Sequence, residues 1–320
     1  MPVLAIDLGG TKLASAAFTR EGVMSERKTI ILGDRKGREI GKLITDLAEG
    51  YMDSYRKQGS KVDAIGISVP GISNSIKGTV WAPNIPGWEE YPLKNEIADS
   101  FGDIPVTIES DRTCYILGEL WQGNAQGCND AIYLAVGTGI GAGIIVNGNV
   151  LRGSHDVAGA IGWMALSRPY IEEYKECGCF EQFASGEGIA RLAGAILKED
   201  KTYIGELKYK KPEEINSYDV FSAYEHSDRV AMRVLEICIE FWGMAVANLV
   251  SLFNPEKIIL GGGVFGPAIP LIPAILKEAS KWAQPVSIKQ VILEPSALGS
   301  DAGVYGAGFV ALRSLSKIKL

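Results

Sequence analysis

Apolar positions along this chain recur with two periods. Val3–Asp7 is a short apolar run, and a second run, Leu13–Phe18, follows Gly9-Gly10, so residues 3–18 read as a hairpin. Arg38–Tyr55 places Ile40, Leu43, Ile44, Leu47 and Met52 at helical spacing. Val62–Val69, which ends at Pro70-Gly71, and Ile104–Ile108 read as strands, and Asp111–Trp121 as a helix. Ala131–Val136 and Ile140–Val146 repeat the strand, small-residue turn, strand layout of residues 3–18 and run into an Asn147-Gly148 hairpin turn. The repetition is slight in identity, but its layout suggests two related halves. Asp228–Phe253 predicts a long helix with Val234, Ile237, Phe241, Met244 and Asn248 on one stripe. Ile239 and Trp242 lie off that stripe, so wide burial is expected. Lys257–Leu260 and Val291–Leu293 read as strands, and Ala302–Leu315 as a closing helix. Strands alternating with helices argue for an α/β protein. The polar, glycine-rich stretch Gly123–Asn129 marks a candidate domain boundary.

Composition sharpens this outline. At roughly 100–200 residues per domain, the 320 residues suggest two domains. Hydrophobic residues at 47% and charged residues at 22% exclude disorder. Glycine is in excess, 38 against the about 22 that average usage gives, which points to tight turns or close backbone approach to a ligand. The net charge of −6 opposes a large nucleic-acid footprint but not a small phosphorylated ligand. Five cysteines scattered over the chain (Cys114, Cys128, Cys177, Cys179, Cys238) fit a reducing, cytoplasmic setting. The uncharged runs Ala131–Leu151 and Ile258–Leu276 are broken by glycines and prolines, so no membrane helix is expected there. The N-terminus has no basic stretch ahead of an apolar run, so no secretory signal is expected either.

Three glycine-rich turns carry candidate chemistry. Asp7-Leu8-Gly9-Gly10-Thr11-Lys12 follows the first strand; its bare backbone lets N–H groups approach an anion, and Thr11 adds a hydroxyl. Asp7 at the strand end is a candidate for Mg²⁺, directly or through water. Gly137-Thr138-Gly139-Ile140-Gly141-Ala142-Gly143 sets alternate glycines between apolar strands, where glycine weakens a sheet unless a ligand needs the room. Gly261-Gly262-Gly263-Val264-Phe265-Gly266 matches a dinucleotide fingerprint. Its late acid, Glu294, and the prolines 267 and 270 argue against a nicotinamide site, and no Walker pattern is present.

In order and spacing these turns, with Ser68-Val-Pro-Gly71, Ala82-Pro-Asn-Ile-Pro-Gly-Trp88, Gly178-Cys-Phe-Glu181 and Leu298-Gly-Ser-Asp-Ala-Gly303, resemble the ROK family of repressors and sugar kinases in the actin-like ATPase superfamily. The resemblance runs from Ile6 to Ala311. It implies two actin-like (ribonuclease H-like) α/β domains with mixed sheets flanked by helices and an active site in the interdomain cleft. The expected domains are 1–122, joined by the closing helix 302–320, and 123–301. It further implies an ATP- and Mg²⁺-dependent sugar kinase. Gly9, Gly10, Thr11 and Lys12 would form the first phosphate turn and Gly137, Thr138, Gly139 and Gly141 the second, with Gly261, Gly262 and Gly263 along the adenosine. Asp111 matches the family's catalytic base, which takes a proton from the attacking sugar hydroxyl; a helix N-cap is the plainer reading of the same residue. Asn84, Ser110, Asp111, Trp163 and Glu181 fall at sugar-site positions.

The departures cluster in the sugar site. Ser110 stands where the family has Asn, and Gly159-Ala160-Ile161-Gly162-Trp163 where it has Gly-Glu-x-Gly-His. Trp163 would then stack on a sugar face or fill the vacated space. The family's zinc positions align with Trp163, Glu172, Tyr174 and Cys179, leaving one ligand of the four that zinc needs; Cys177 is out of register, and no zinc is expected. The expectation is a hexose or hexose-derivative kinase that does not read glucose in the standard way, with a catalytically weak or inactive sugar sensor as the alternative. A DNA-binding repressor is disfavoured because Val3 already opens the first strand. Sugar and ATP are the expected small-molecule partners, with no nucleic acid and no membrane; a homodimer stays open.

Overall fold

The computed structural model describes residues 2–315. The chain divides into two compact units. The first comprises Met1–Asn129, Gly143–Ala158 and Ser296–Leu320; the second comprises Asp130–Ala142 and Gly159–Pro295. Of the expected second domain, 123–301, residues 123–129, 143–158 and 296–301 thus group with the first unit. Positions 1 and 316–320 of the expected first domain lie outside the described residues.

The first unit opens with β1 (Val3–Leu8), β2 (Lys12–Phe18) and β3 (Met24–Ile31), followed by α1 (Arg38–Lys57), β4 (Ile65–Val69), β5 (Ile72–Asn74), β6 (Thr79–Trp81), α2 (Leu93–Phe101), β7 (Val106–Ser110) and α3 (Asp111–Gln122). Its sheet runs β3-β2-β1-β4-β7, with β1–β2 and β2–β3 antiparallel and β1–β4 and β4–β7 parallel. The hairpin expected over 3–18 is present, pairing Val3 with Phe18 and Leu8 with Leu13. One face of this sheet is large and aliphatic: Leu4, Ile6, Leu8, Ile65 and Ile67 pack with Ile40, Ile44 and Tyr51 of α1. The opposite face is small: Val3, Ala5, Ala14 and Ala16 meet Val304, Ala307 and Ala311 of the closing helix.

The second unit holds β8 (Ala131–Val136) and the start of β9 (Ile140–Val146), which ends in a hairpin with β10 (Asn149–Val150). Asn147 and Gly148 both take positive φ (50° and 69°), as a two-residue hairpin turn requires. Then come α4 (Tyr174–Cys177), α5 (Cys179–Ala184), α6 (Gly186–Glu199), α7 (Ser217–Glu225), α8 (Arg229–Phe253), β11 (Lys257–Gly261), α9 (Ile272–Ala279) and β12 (Ile292–Pro295); α10 (Ala302–Leu315) returns to the first unit. The second sheet runs β10-β9-β8-β11-β12, with β8–β11 and β11–β12 parallel. Both sheets therefore place an antiparallel hairpin beside two parallel strands reached through helices. The slight internal repeat in the sequence is a duplicated topology. Asp228 caps α8 by accepting from the backbone N–H groups of Val230 and Ala231 at 2.9 and 3.1 Å. The helix is widely buried, but Trp242 is inside and Asn248 outside, so its apolar face is turned from the expected stripe. By length and composition α8 would also pass for a membrane span, yet 61% of its apolar window is buried in the fold, as in a core helix.

The glycine excess has a third use besides turns and ligands. A Cβ at Gly306 would lie 1.9 Å from the Cys114 carbonyl oxygen, at Gly66 1.9 Å from that of Ala307, and at Gly118 2.6 Å from that of Ala302. These glycines let α10 lie backbone to backbone against α3 and β4. The chain returns to this seam at Glu119, fully buried on α3. It accepts from Ser296 Oγ at 2.5 Å and from the backbone N–H groups of Asn124 at 2.7 Å and Leu298 at 3.2 Å.

Candidate active site

In the first unit, β1 and β7 run parallel to β4 on either side of it and end at the same edge of the sheet. β1 delivers Asp7 and β7 delivers Glu109, Ser110 and, at the first position of α3, Asp111. Burial pushes the Asp7 carboxyl up to about 6; the Ser68 hydroxyl and the Lys12 charge temper the rise and Asp301 adds to it. Ser68 is buried, and its Oγ has no well-formed hydrogen bond among the described residues. Gly303 at the start of α10 makes room for Asp7, since a Cβ there would lie 2.3 Å from Oδ2. Burial likewise pushes Asp111 up to about 6, held back by the Arg112 backbone N–H and charge and raised further by Asp7. Two carboxylates that sense each other's charge, one of them at the first glycine turn, fit the hard oxygen donor set of a divalent cation. Among the described residues no cluster of three or more His, Cys, Asp and Glu side chains gathers as a metal site.

The N-cap of α3 is Ser110, in extended conformation, and not Asp111. Ser110 does not cap through its side chain; its Oγ donates to Thr113 Oγ1 at 3.0 Å. Asp111 Oδ1 accepts the Arg112 N–H at 2.7 Å, which leaves Oδ2 open. Arg112 itself buries an Nη2 that has no hydrogen-bond partner among the described residues. The first turn is closed by the Gly9 N–H donating to the Lys12 carbonyl at 2.9 Å, and Thr11 O accepts from Leu32 N–H at 2.9 Å. Asn84 stands beside this turn, 3.9 Å from where a Gly10 Cβ would be. Its loop is pinned from below by Trp88, fully buried, which stacks on Tyr91 at 4.4 Å and donates through Nε1 to the Gly37 carbonyl at 3.0 Å.

In the second unit, the Gly137 N–H donates to the Gly139 carbonyl at 2.9 Å, and the Gly137 carbonyl accepts from Gly186 at the start of α6 at 2.7 Å. Glu181 Oε2 accepts the Ile140 N–H at 2.5 Å and lies against Gly139 and Gly162, so one of its oxygens is already engaged in holding the second turn. Burial raises the Glu181 carboxyl. Trp163, in a short 3-10 turn, is 57% exposed, too open for a side chain that fills a vacated pocket. Gly178 takes φ 86°, and a Cβ there would also lie 2.5 Å from the Trp163 Cα, so both conformation and space call for glycine; Cys177 and Cys179 flank it as free thiols. In the third turn, Gly261 must stay bare for the Tyr133 ring and Gly262 for the Val136 backbone, whereas a Cβ at Gly263 would meet only Tyr218 Oη, at an ordinary contact distance of 3.5 Å. Ser217, at the start of α7, lies 3.5 Å from the Gly186 Cβ position. The starts of α6 and α7 therefore join the second and third glycine turns on one face of this unit.

Gly186, Ser217 and Tyr218 leave no signal in the sequence because each lies far along the chain from the turn it meets, whereas Gly303 belongs to the Leu298–Gly303 motif but makes room for Asp7. Ser68 was quoted only as part of a motif, and the buried Arg112 guanidinium was not singled out.

The paired, similarly built sheets with glycine turns at their strand ends define an actin-like ATPase fold, and solved structures of that kind superpose along nearly the whole chain. The ROK family model matches residues 3–314, and this chain belongs to the ROK family. It is 34% identical over 313 residues to a glucokinase from Halalkalibacterium halodurans, covering 95% of this chain and 93% of that one. It is 31% identical to a xylose repressor from Caldicellulosiruptor bescii, covering 95% of this chain and 76% of that one. A ROK family glucokinase from Streptomyces griseus, solved in complex with glucose and AMPPNP, superposes with a TM-score of 0.79 at 28% identity, covering 98% of this chain and all of that one.

Proposed function

We propose that this chain is an ATP-dependent carbohydrate kinase that transfers the γ-phosphoryl group to a sugar hydroxyl, with Asp111 as general base. The observation that carries the reading is the Asp111 carboxylate: half-buried just past the end of β7, with Oδ2 unspent among the described residues, and poised near 6 so that it is ionised and basic at neutral pH. Such a base takes the hydroxyl proton as the oxygen attacks phosphorus. Gly9 to Lys12 in the first unit, and Gly137, Thr138, Gly139 and Gly141 in the second, would hold phosphates through backbone N–H groups. Gly261, Gly262 and Gly263 would line the nucleoside, with Gly263 the most open of the three. Asp7 would hold Mg²⁺, whose charge, when bound, offsets that of the phosphates. The five free thiols support a cytoplasmic setting.

Asn84 and Ser110 on the first unit, and Trp163 and Glu181 on the second, would contact the sugar. Ala160 and Trp163 remove an acid and an imidazole from that set and leave an exposed tryptophan. A polar group left unpaired on binding costs about 1–3 kcal/mol, so the acceptor differs from glucose at the positions those groups read. A panel of hexoses and hexose derivatives, assayed with ATP and Mg²⁺ for both ADP and sugar phosphate, tests this. Sugar-dependent transfer to a derivative is expected. Glucose turnover at ordinary kinase efficiency would refute altered specificity, and no sugar-dependent ADP release with any acceptor would favour the sensor reading instead.

A further inference from the structure

The first unit carries a polar cavity of about 260 Å³ whose walls do not include Asp111. It lies between the β5–β6 hairpin, α2, β7 and the segment after β10, and its polar lining includes Asn74, Lys94, Thr107, Glu109 and Arg152. The hydrogen-bond inventory of this wall is lopsided. Glu109 is 4% exposed and is spent twice, on an ion pair with Arg152 and on the Ser110 N–H at 3.0 Å. Asn74 Oδ1 accepts the Ile76 and Lys77 N–H groups at 3.1 and 2.9 Å. Asp156, the other acid near Arg152, accepts from the Ser75 N–H and hydroxyl at 3.1 and 3.0 Å. What the cavity has left is mostly donors: the Asn74 amide NH₂, the Lys94 ammonium, which pairs with no carboxylate among the described residues, the N–H groups of Arg152 that Glu109 does not take, and the Thr107 hydroxyl, which can donate or accept. A buried ion pair adds little to stability by itself, but here Glu109 fixes the Arg152 guanidinium at the cavity wall.

Leftover donors with engaged acceptors call for an acceptor-rich ligand, and one uncompensated ammonium calls for negative charge. We propose that this cavity is a second ligand site, for a hydroxylated oxyanion of the sugar phosphate type, with the oxyanion on Lys94 and Arg152 and a hydroxyl on Asn74. The site itself stands on the wall chemistry; that its ligand belongs to the class of the reaction product rests on the kinase reading. Glu109 connects the two, since it bonds Arg152 on one side and the N–H of Ser110, next to Asp111, on the other.

Titration calorimetry on the full chain and on Lys94→Gln tests the site, with glucose 6-phosphate, inorganic phosphate and glucose as separate probes. Lys94 is exposed and outside the catalytic set, so the variant should fold and keep the parent's turnover and nucleotide affinity. The expected result is a glucose 6-phosphate site that weakens roughly five- to tenfold in Lys94→Gln. Unchanged binding of glucose 6-phosphate in the variant, or none in the parent, would overturn the proposal. Equal Lys94-dependent affinity for inorganic phosphate would show that only the oxyanion is read, and Lys94-dependent binding of glucose would show that no charge is needed; either would overturn the ligand class. Failure of the kinase reading is seen separately, as absence of phosphoryl transfer.

Discussion

Asp111→Asn should make the protein more stable at alkaline pH while removing its base. In the folded chain the Asp111 carboxyl is pushed from 3.8 up to about 6, mainly by burial. At about 1.36 kcal/mol per pH unit, holding the charge above pH 6 costs the fold up to about 3 kcal/mol. Asp7 is raised to about 6 by burial too, and its charge is among the causes of the Asp111 shift, so the two costs overlap. Partial exposure reduces them further, and about 1–2 kcal/mol is the expected share of Asp111. Between 3.8 and 6 the folded state holds the proton that the unfolded chain has lost, so stability falls as pH rises through that window. Asparagine keeps an oxygen for the Arg112 N–H and carries no charge. The variant should therefore melt about 2–3 °C above the parent at about pH 8 and show no gain at about pH 4, where the parent carboxyl is neutral in the fold. Scanning calorimetry at the two pH values reads this directly. An Asp111→Asn protein that melts at or below the parent at pH 8, or that keeps the same gain at pH 4, would refute the desolvated-carboxylate account.

Gly306→Ala should destabilise by about 1–3 kcal/mol in a urea melt, because its Cβ would meet the Cys114 carbonyl at 1.9 Å and neither backbone yields cheaply. Gly50→Ala on the exposed face of α1, with nothing within 4 Å, should stabilise by about 0.5–1 kcal/mol in the same assay. Glu119→Ala, which strands the donors of Asn124, Ser296 and Leu298 around a buried gap, should cost about 3 kcal/mol of unfolding free energy. Phosphoryl transfer should lose rate as pH falls through about 6, where Asp111 and Asp7 gain protons, and be level above it; a rate that holds steady to pH 5 would contradict their ionised roles.

Much of the fold was legible because its core elements carry strong periods: α3 begins at Asp111 and α10 spans Ala302–Leu315 as read from the sequence. β3 was not, because Met24–Ile31 is an edge strand whose Ser, Glu, Arg and Lys face water and blunt the alternation. Residues 143–158 could not be assigned to the first unit from sequence, since only tertiary packing, such as that of Gly143 on the Arg112 carbonyl, places them there. In the site, local motifs gave Asp7, Asp111 and the glycine turns. They did not separate the glycines that a ligand would need from those that packing needs. Gly261 and Gly262 are bare for Tyr133 and Val136, Gly303 for Asp7, and Gly66, Gly118 and Gly306 for the close approach of α10. Nor did they show that Glu181 supports the second turn, because a bond from Ile140 to a residue on α5 leaves no mark in either stretch alone.

The central claim is phosphoryl transfer with Asp111 as base. Its most direct test is the rate of sugar phosphate formation by the parent and by Asp111→Asn with the best acceptor of the panel, alongside nucleotide affinity. The account predicts a loss of about 10²–10⁴-fold in turnover with nucleotide affinity retained. Asp111→Asn turnover equal to that of the parent would contradict it.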